Sequence, residues 1–340
     1  MNKQTDIKKL SPADFETDQE VRWCPGCGDY AILKAVQMTL ANTGATPENT
    51  VFVSGIGCSS RFPYYVSTYG FHTIHGRAPG FATGIKLANP DLDVWLVTGD
   101  GDGLSIGGNH MLHVLRRNVD IQIMLFNNEI YGLTKGQYSP TSRPGLKTPS
   151  TPMGSVDAPL SPCVFALGAG ARFVARGIDT SLKELPVVLA RAQEHKGASF
   201  VEIYQNCIVY NDNVFGAFTQ KKTAKDTQLH VKHGEKMLFG KDVAKGLRFN
   251  VEKFGLEVVI IGENGISEDD ILVHDETNRH MAFMLCELEA PEYPAICGVI
   301  YCNPAESYDR SVHKQVAKAK SEKKADFNAL LRQGRTWTVE

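Results

Sequence analysis

The sequence predicts an α/β protein built on a doubly wound, mostly parallel sheet. Four short, nearly continuous apolar runs are typical of strands buried on both faces, at residues 50–55, 93–99, 121–127 and 199–205. Helical candidates lie between and around these runs, at residues 30–44, 80–90, 107–118 and 181–197. The first and last candidates end in glycine, as helices commonly do. Alternation of strands and helices up to about residue 210 is the pattern of a doubly wound sheet.

The regularity of this pattern divides the chain into three parts. Residues 1–20 are predicted to be an N-terminal extension, residues 21–215 the α/β domain and residues 216–340 a C-terminal extension. We expect the last part to pack on the same domain or on a partner, with a strand at 257–262 and a lysine-rich helical end at 313–334. Residues 136–162 hold six prolines and are predicted to form a long surface loop, which in most proteins is functional or disordered.

Composition and charge exclude several classes of protein. The formal net charge of -2 gives no overall basic field, so nucleic acid is not an expected partner. No apolar run approaches the roughly 20 residues of a membrane span, and the first twenty residues have no signal-peptide core, so we expect a cytoplasmic protein. Eight cysteines are too few for a disulfide scaffold, and their grouping favours metal binding or catalysis.

The segment "WCPGCGDY" at 23–30 contains the first candidate metal ligands. Cys24 and Cys27 have the spacing of a metal-binding pair. Taken alone, the pair slightly favours a structural zinc site.

Polar residues follow two of the predicted strands. "GDGDG" at 99–103 follows one strand, and "NN" at 127–128 follows another. The carboxyl ends of parallel strands meet at one edge of a sheet, where ligands usually bind. An Asp and an Asn oxygen suit Mg²⁺, while the glycines and a helix starting after Gly103 suit a diphosphate. Together the two segments predict a magnesium–diphosphate site, and the alternative is a turn near an unrelated strand cap.

The same two segments resemble the thiamine diphosphate motif, and the surrounding sequence resembles the β subunit of 2-oxoacid:ferredoxin oxidoreductases. The resemblance is carried by "WCPGCGDY", by residues 55–110 beginning "GIGCSSRFPYY", and by "NNEIYGLTKGQYSPTS". It covers roughly residues 20–215 closely. It implies a thiamine diphosphate-binding fold, of which this chain would supply the diphosphate-binding half.

The resemblance also implies three cofactors and their ligands. A 4Fe-4S cluster would be held by Cys24, Cys27, Cys58 and Cys207. Mg²⁺ would be bound by Asp100, Asn128 and the backbone carbonyl of Ile130. Thiamine diphosphate would be contacted by Ile56, Gly57, Cys58, Ser59, His75, Gly101, Asp102, Gly132 and Leu133. The alternative for His75 is a helix-capping role, and His72 is expected only to pack. The other four cysteines match no ligand of the family and are expected to be inert buried thiols.

The activity implied is the coenzyme A-dependent oxidative decarboxylation of a 2-oxo acid. Thiamine serves as the electron sink, and the cluster passes electrons singly to ferredoxin, in a reaction that can also run as a carboxylation. Arg61 is expected to bind the 2-oxo carboxylate, as a fork-shaped guanidinium suits. Lys135 is expected to pair with the distal carboxylate of 2-oxoglutarate, and its alternative is a solvated loop lysine. Pyruvate or broad specificity is the alternative substrate assignment.

The chain lacks one part that thiamine enzymes need. A glutamate must contact the aminopyrimidine, and in the family it belongs to a second domain, so the resemblance implies an α subunit as partner. The expected assembly is a dimer of αβ pairs. The lysines at 314, 318, 320, 323 and 324 are expected either to attract an acidic ferredoxin or simply to form a solvated helix face. Two other classes of function stay open: a non-redox thiamine decarboxylase or carboligase, and a non-catalytic zinc module.

Overall fold

The computed structural model describes residues 10–322 and 325–339, and an eight-stranded sheet forms its centre. The strands are β1 (Thr50–Ser54), β2 (Tyr69–His72), β3 (Asp93–Gly99), β4 (Gln122–Asn127), β5 (Phe173–Ile178), β6 (Ser199–Tyr204), β7 (Gln228–Val231), β8 (Leu238–Phe239), β9 (Lys245–Asn250), β10 (Gly255–Ile260) and β11 (Ala295–Cys302). The sheet has the order β2-β1-β3-β4-β6-β5-β11-β7. Every neighbouring pair in it is parallel except β11 with β5. The remaining strands form a small antiparallel sheet of order β10-β9-β8.

Helices cover both faces of the main sheet. They are α1 (Asp29–Thr43), α2 (Ala78–Ala88), α3 (Gly108–Arg117), α4 (Pro162–Gly168), α5 (Leu185–Glu194), α6 (Gly216–Thr219), α7 (Ala224–Thr227), α8 (Arg279–Cys286), α9 (Tyr308–Glu322) and α10 (Phe327–Leu331). Residues of α1 and α5 share one apolar cluster with the sheet, whereas residues of α2, α3, α4 and α8 share the other. The predicted doubly wound fold is therefore confirmed.

The elements predicted from apolar periodicity are present with small shifts at their ends. The four predicted strands are β1, β3, β4 and β6, and the four predicted helices are α1, α2, α3 and α5. No helix or strand lies between Asn127 and Pro162, as the proline-rich composition of that loop predicted. The strand expected at 257–262 is β10, and the lysine-rich end forms α9 and α10; Lys323 and Lys324, like residues 1–9 of the N-terminal extension, lie outside the described residues.

Sequence periodicity did not reveal β5, because Arg176 interrupts its apolar run. The Arg176 side chain is buried, and its Nε donates to Glu202 Oε2 on the neighbouring strand β6 at 2.8 Å. Pairing and hydrogen bonding are what allow a buried charge of this kind. Strands β7 and β11, which come from the part of the chain after residue 215, complete the sheet beyond β5. The division at residues 20 and 215 stays a prediction.

Within the described residues, no helix is both long and apolar enough to cross a membrane.

Candidate functional site

The segments singled out in the sequence meet at the carboxyl edge of the main sheet. The strands β1, β3, β4 and β6 end there, at Ser54, Gly99, Asn127 and Tyr204. Parallel strands bring their carboxyl ends to one edge, so the loops that follow them lie side by side. Two adjoining cavities open among these loops.

The larger cavity has a volume of about 540 Å³, a size usual for a small-molecule site. Every residue predicted for thiamine diphosphate and for magnesium lines it: Ile56, Gly57, Cys58, Ser59, His75, Asp100, Gly101, Asp102, Asn128, Ile130, Gly132 and Leu133. Asp29, Tyr131 and Gln137 also line it. The fold thus gathers the predicted set from four separate loops into one wall.

The Asp102 carboxylate ties three of these loops together. Its Oδ1 accepts hydrogen bonds from the backbone N–H groups of Gly76 (2.7 Å) and Ile56 (3.2 Å), and its Oδ2 accepts from Thr98 Oγ1 (2.7 Å). His75 Nδ1 lies 2.7 Å from the same Oδ1. Because Nδ1 faces only acceptors, this nitrogen carries a proton, and Nε2 is the ring nitrogen that remains free to contact a ligand. Asp102 therefore fixes the orientation of His75 and holds the loops of the cavity wall together.

Asp100 and Asn128 present oxygen atoms to the same cavity. Burial raises the pKa of the Asp100 carboxyl to about 6, although Ser139 Oγ (2.5 Å) and Thr141 Oγ1 (2.6 Å) both donate to its Oδ2. Asn128 Oδ1 accepts from the backbone N–H of Ile130 at 3.1 Å. A carboxylate, an amide oxygen and the nearby Ile130 carbonyl are the hard donors that Mg²⁺ prefers, so these residues fit that ion.

Position 101 accommodates only glycine, because the Tyr131 ring packs against its backbone. A Cβ atom at this position would lie 2.1 Å from the Tyr131 ring, whose hydroxyl donates to the Gly101 carbonyl at 3.1 Å. The backbone here can therefore pass directly beneath an aromatic ring, as a wall close to a bound ligand requires.

The smaller cavity has a volume of about 210 Å³ and gathers all four predicted cluster ligands, Cys24, Cys27, Cys58 and Cys207. The predicted substrate residues Arg61 and Lys135 line this cavity too, and neither is in the wall of the larger one. Four residues belong to both walls: Cys58, Asn128, Gly132 and Leu133. A Cβ on Gly132 would lie 3.5 Å from Cys58 Sγ and 3.6 Å from Cys207 Sγ, so two of the sulfurs are close to the shared wall.

Burial disfavours thiolates in this cavity when no metal is bound. It raises the pKa of the Cys58 thiol to about 11 and that of Cys27 further above its usual range. The other cysteines and the Asp29 carboxylate add to both increases, whereas Arg61 opposes the increase at Cys58. Cysteine ligands must lose their protons to bind metal, so metal binding here is coupled to proton release.

The cavity suits a cluster by its donor set and its arrangement. A four-iron cluster takes one thiolate at each iron, and four cysteines line this one cavity. In the described residues, 10–322 and 325–339, no three His, Cys, Asp or Glu side chains are grouped to hold a single metal ion.

The remaining predicted residues lie outside both cavities. His72 is on the exposed strand β2, with Nδ1 3.2 Å from the Tyr64 hydroxyl. The other cysteines, Cys163, Cys286, Cys297 and Cys302, are buried, as expected of inert thiols.

Sequence reasoning missed four contributors to the site. Asp29 lines the larger cavity, and burial raises the pKa of its carboxyl to about 7. Ser139 and Thr141 reach Asp100 from the proline-rich loop, and Gln205 lines the smaller cavity beside Cys27. Each is a polar residue beside a motif or a strand end, and this position was the only sign of its role in the sequence. Their contacts depend on segments far apart in the sequence.

Comparisons with known proteins identify relatives of this chain. A family model described as thiamine pyrophosphate enzyme, C-terminal TPP binding domain, matches residues 55–203. The 2-oxoglutarate oxidoreductase subunit KorB of Mycobacterium tuberculosis is 50% identical over 334 residues, which cover 96% of this chain and 88% of that protein. The 2-oxoglutarate synthase subunit KorB of Methanocaldococcus jannaschii is 40% identical over 204 residues, covering 60% of this chain and 74% of that protein.

A solved structure is similar over nearly the whole chain. It is the 2-oxoglutarate:ferredoxin oxidoreductase from Magnetococcus marinus with 2-oxoglutarate, coenzyme A and succinyl-CoA bound. The TM-score is 0.77 and the sequence identity 32%, with 98% of each chain covered.

Proposed function

This chain belongs to the family of 2-oxoacid:ferredoxin oxidoreductase β subunits, and from that premise we propose its reaction and substrate. It acts in the coenzyme A-dependent oxidative decarboxylation of 2-oxoglutarate to succinyl-CoA and carbon dioxide, with electrons passed to ferredoxin. The relatives named for 2-oxoglutarate and the solved structure with that substrate support this choice.

One observation carries the proposal: the two cavities share a wall. Cys58 belongs to the predicted cluster ligands and also lines the larger cavity. A reaction that removes electrons from a substrate on an organic cofactor needs an acceptor close by. A non-redox thiamine enzyme has no use for four cysteines beside its cofactor, and a zinc module has no use for a magnesium–diphosphate cavity.

The residues present suit thiamine diphosphate, Mg²⁺ and a 4Fe-4S cluster. Asp100, Asn128 and the Ile130 carbonyl would hold the magnesium ion in the larger cavity, and the four cysteines would hold the cluster in the smaller one. When bound, thiamine supplies the electron sink for decarboxylation, and the cluster accepts electrons one at a time.

The chain's own residues bind, orient and hold protons around these groups. His75, fixed by Asp102 through Nδ1, has only Nε2 left to contact a ligand in the cavity. Arg61 and Lys135 line the smaller cavity together with Gly132 and Leu133, which also line the larger one, so they bring positive charge close to the larger cavity. A substrate bound there with two carboxylates would find a partner for each. Lys135 has a φ of 76°, a backbone conformation that is uncommon outside glycine and often found at functional sites.

An α subunit would complete the site. Large apolar side chains are exposed on strand β2 and in the segments that follow β2 and β3, namely Tyr69 (62% exposed), Phe71 (47%), Ile74 (66%) and Ile106 (49%). Ile74 directly precedes His75, so a subunit covering this surface would also close the cavity. Exposed apolar groups at this density are typical of protein interfaces. We further propose a cytoplasmic dimer of αβ pairs, with ferredoxin as electron acceptor.

The test is an anaerobic assay of the chain copurified with its α subunit, following reduction of a low-potential dye with coenzyme A. We expect 2-oxoglutarate to be strongly preferred over pyruvate, and Lys135→Ala to lower kcat/KM for 2-oxoglutarate about 10- to 100-fold, the loss expected when a charged hydrogen bond is removed. Lys147→Ala, on an exposed lysine of the same loop, is the matched control and should leave kcat/KM unchanged.

Equal or better turnover of pyruvate would contradict the substrate assignment alone. A colourless complex without turnover of any 2-oxo acid would contradict the redox function, because iron–sulfur clusters absorb visible light.

A further inference from the structure

Gln205 connects the two cavities by hydrogen bonds. It is buried, directly after β6. Its Nε2 donates to the Asn206 carbonyl oxygen at 2.7 Å and to Cys27 Sγ at 3.2 Å. Its Oε1 accepts from Asn128 Nδ2 at 2.7 Å. One side chain therefore contacts a proposed cluster ligand and a proposed magnesium ligand at the same time.

The direction of this hydrogen-bond chain is fixed at both ends. The Asn206 carbonyl can only accept, so the amide nitrogen of Gln205 must face it. The backbone N–H of Ile130 can only donate, so Asn128 must direct Oδ1 toward it and Nδ2 toward Gln205. Turning either amide around would place like groups together. The donor toward Cys27 and the acceptor toward Asn128 are thus a single consistent arrangement.

We infer that Gln205 is a positioning residue that sets both the reduction potential of the cluster and the orientation of Asn128 toward magnesium. The inference rests on the proposed function, from which the cluster and the magnesium ion are taken. An N–H group donating to a cluster sulfur stabilises the more negative, reduced state and so raises the potential. An outer partner that fixes the rotation of a metal ligand commonly raises metal affinity.

Two variants separate these effects. Gln205→Leu removes both contacts, so the cluster potential should become more negative and the Mg²⁺ concentration that half-saturates thiamine diphosphate binding should rise about 10-fold. Gln205→Glu keeps an oxygen toward Asn128 and replaces the donor toward Cys27 by an oxygen. Its potential should also become more negative, while its Mg²⁺ requirement should stay close to that of the unchanged enzyme.

The experiment uses the complete αβ enzyme purified without oxygen. The potential is measured by a redox titration monitored by electron paramagnetic resonance, and cofactor binding by quenching of tryptophan fluorescence during a Mg²⁺ titration. Gln193→Leu is the matched control, because Gln193 Nε2 donates to Asp93 at 2.6 Å at the opposite edge of the sheet. It should change neither quantity.

Unchanged potentials in both Gln205 variants at full iron content would overturn the inference, as would an unchanged Mg²⁺ requirement in Gln205→Leu. If the leucine variant does not assemble, the glutamate variant alone tests the potential, because it keeps the size and one hydrogen bond of the original side chain. An unaltered enzyme that holds no cluster would instead contradict the proposed function.

Discussion

The two edges of the main sheet bury charged groups in opposite ways. At the amino edge, Lys86 and Asp120 are both buried and form an ion pair at 3.1 Å, and Lys86 Nζ also donates to the Leu92 carbonyl at 2.8 Å. At the carboxyl edge, Asp29 and Asp100 are buried too, yet neither pairs with any cationic side chain of the described residues.

The paired charges at the amino edge serve stability, whereas the unpaired carboxylates at the carboxyl edge serve function. A buried ion pair satisfies its own charges, whereas a buried carboxylate without a cation has its pKa raised, as at Asp29 and Asp100. The carboxyl edge therefore stores an unfavourable charge that a bound cation would relieve. This is the behaviour expected of a preformed metal site, and the Lys86–Asp120 pair at the amino edge has no comparable need.

The largest expected effect comes from a variant that leaves a buried carboxylate at the amino edge without a cation, as at the carboxyl edge. Lys86→Met leaves Asp120 buried without its partner, and we expect a loss of about 3–5 kcal/mol in the free energy of unfolding. Urea denaturation of the purified protein at fixed concentration measures it. The double variant Lys86→Met with Asp120→Asn should recover most of the loss, since the uncompensated charge is gone. A loss below 1 kcal/mol would mean that water reaches Asp120 and that the two edges do not differ.

The second test removes the stored charge at the carboxyl edge. Asp100→Asn should weaken Mg²⁺-dependent binding of thiamine diphosphate at least about 100-fold, the upper end of losses seen even for residues that only support a ligand. The metal-free protein should become more stable at pH 7, because the raised pKa of about 6 means that the ionised form costs folding energy there. Fluorescence titration measures the affinity, and urea denaturation measures the stability. If Asp100→Asn were less stable and bound thiamine diphosphate with unchanged affinity, Asp100 would be a structural residue and not a metal ligand.

The smallest test concerns a neutral group of the amino edge. His195 is buried with Nε2 unpartnered and with Nδ1 3.9 Å from Cys302 Sγ, and burial lowers its pKa to about 4. Asp120 opposes this decrease, whereas Lys196 and Arg191 add to it. Because the folded pKa lies below the unfolded value of 6.5, the stability that this group supplies is complete above pH 6.5 and is lost as the pH falls toward 4.

Between pH 7 and pH 5 we expect His195 to account for a loss of about 2 kcal/mol. The urea midpoint should therefore fall as the pH is lowered, and His195→Gln should remove this part of the decrease. His233→Gln, at an exposed histidine, is the control and should leave the decrease unchanged. An identical pH profile for both variants would show that His195 keeps an ordinary pKa.

The sequence predicted those parts of the fold and site whose signal is local. The strands β1, β3, β4 and β6 are continuous apolar runs, and their shared edge follows from parallel packing. Strand β5 was missed because Arg176 is buried only through its pairing with Glu202 on another strand. The same reason explains the site. Motif residues such as Asp100 were found by their neighbours in sequence, whereas Gln205 acquires its partners only in the folded chain.

The contact between Gly101 and Tyr131 limits how this protein can evolve. Any side chain at position 101 would overlap the tyrosine ring, while a smaller residue at position 131 would lose the hydrogen bond to the Gly101 carbonyl. The two positions lie on different loops, and a larger residue at position 101 requires a smaller one at position 131. We therefore expect homologues to alter them as a pair, so that a comparison of many sequences would show correlated substitution between them.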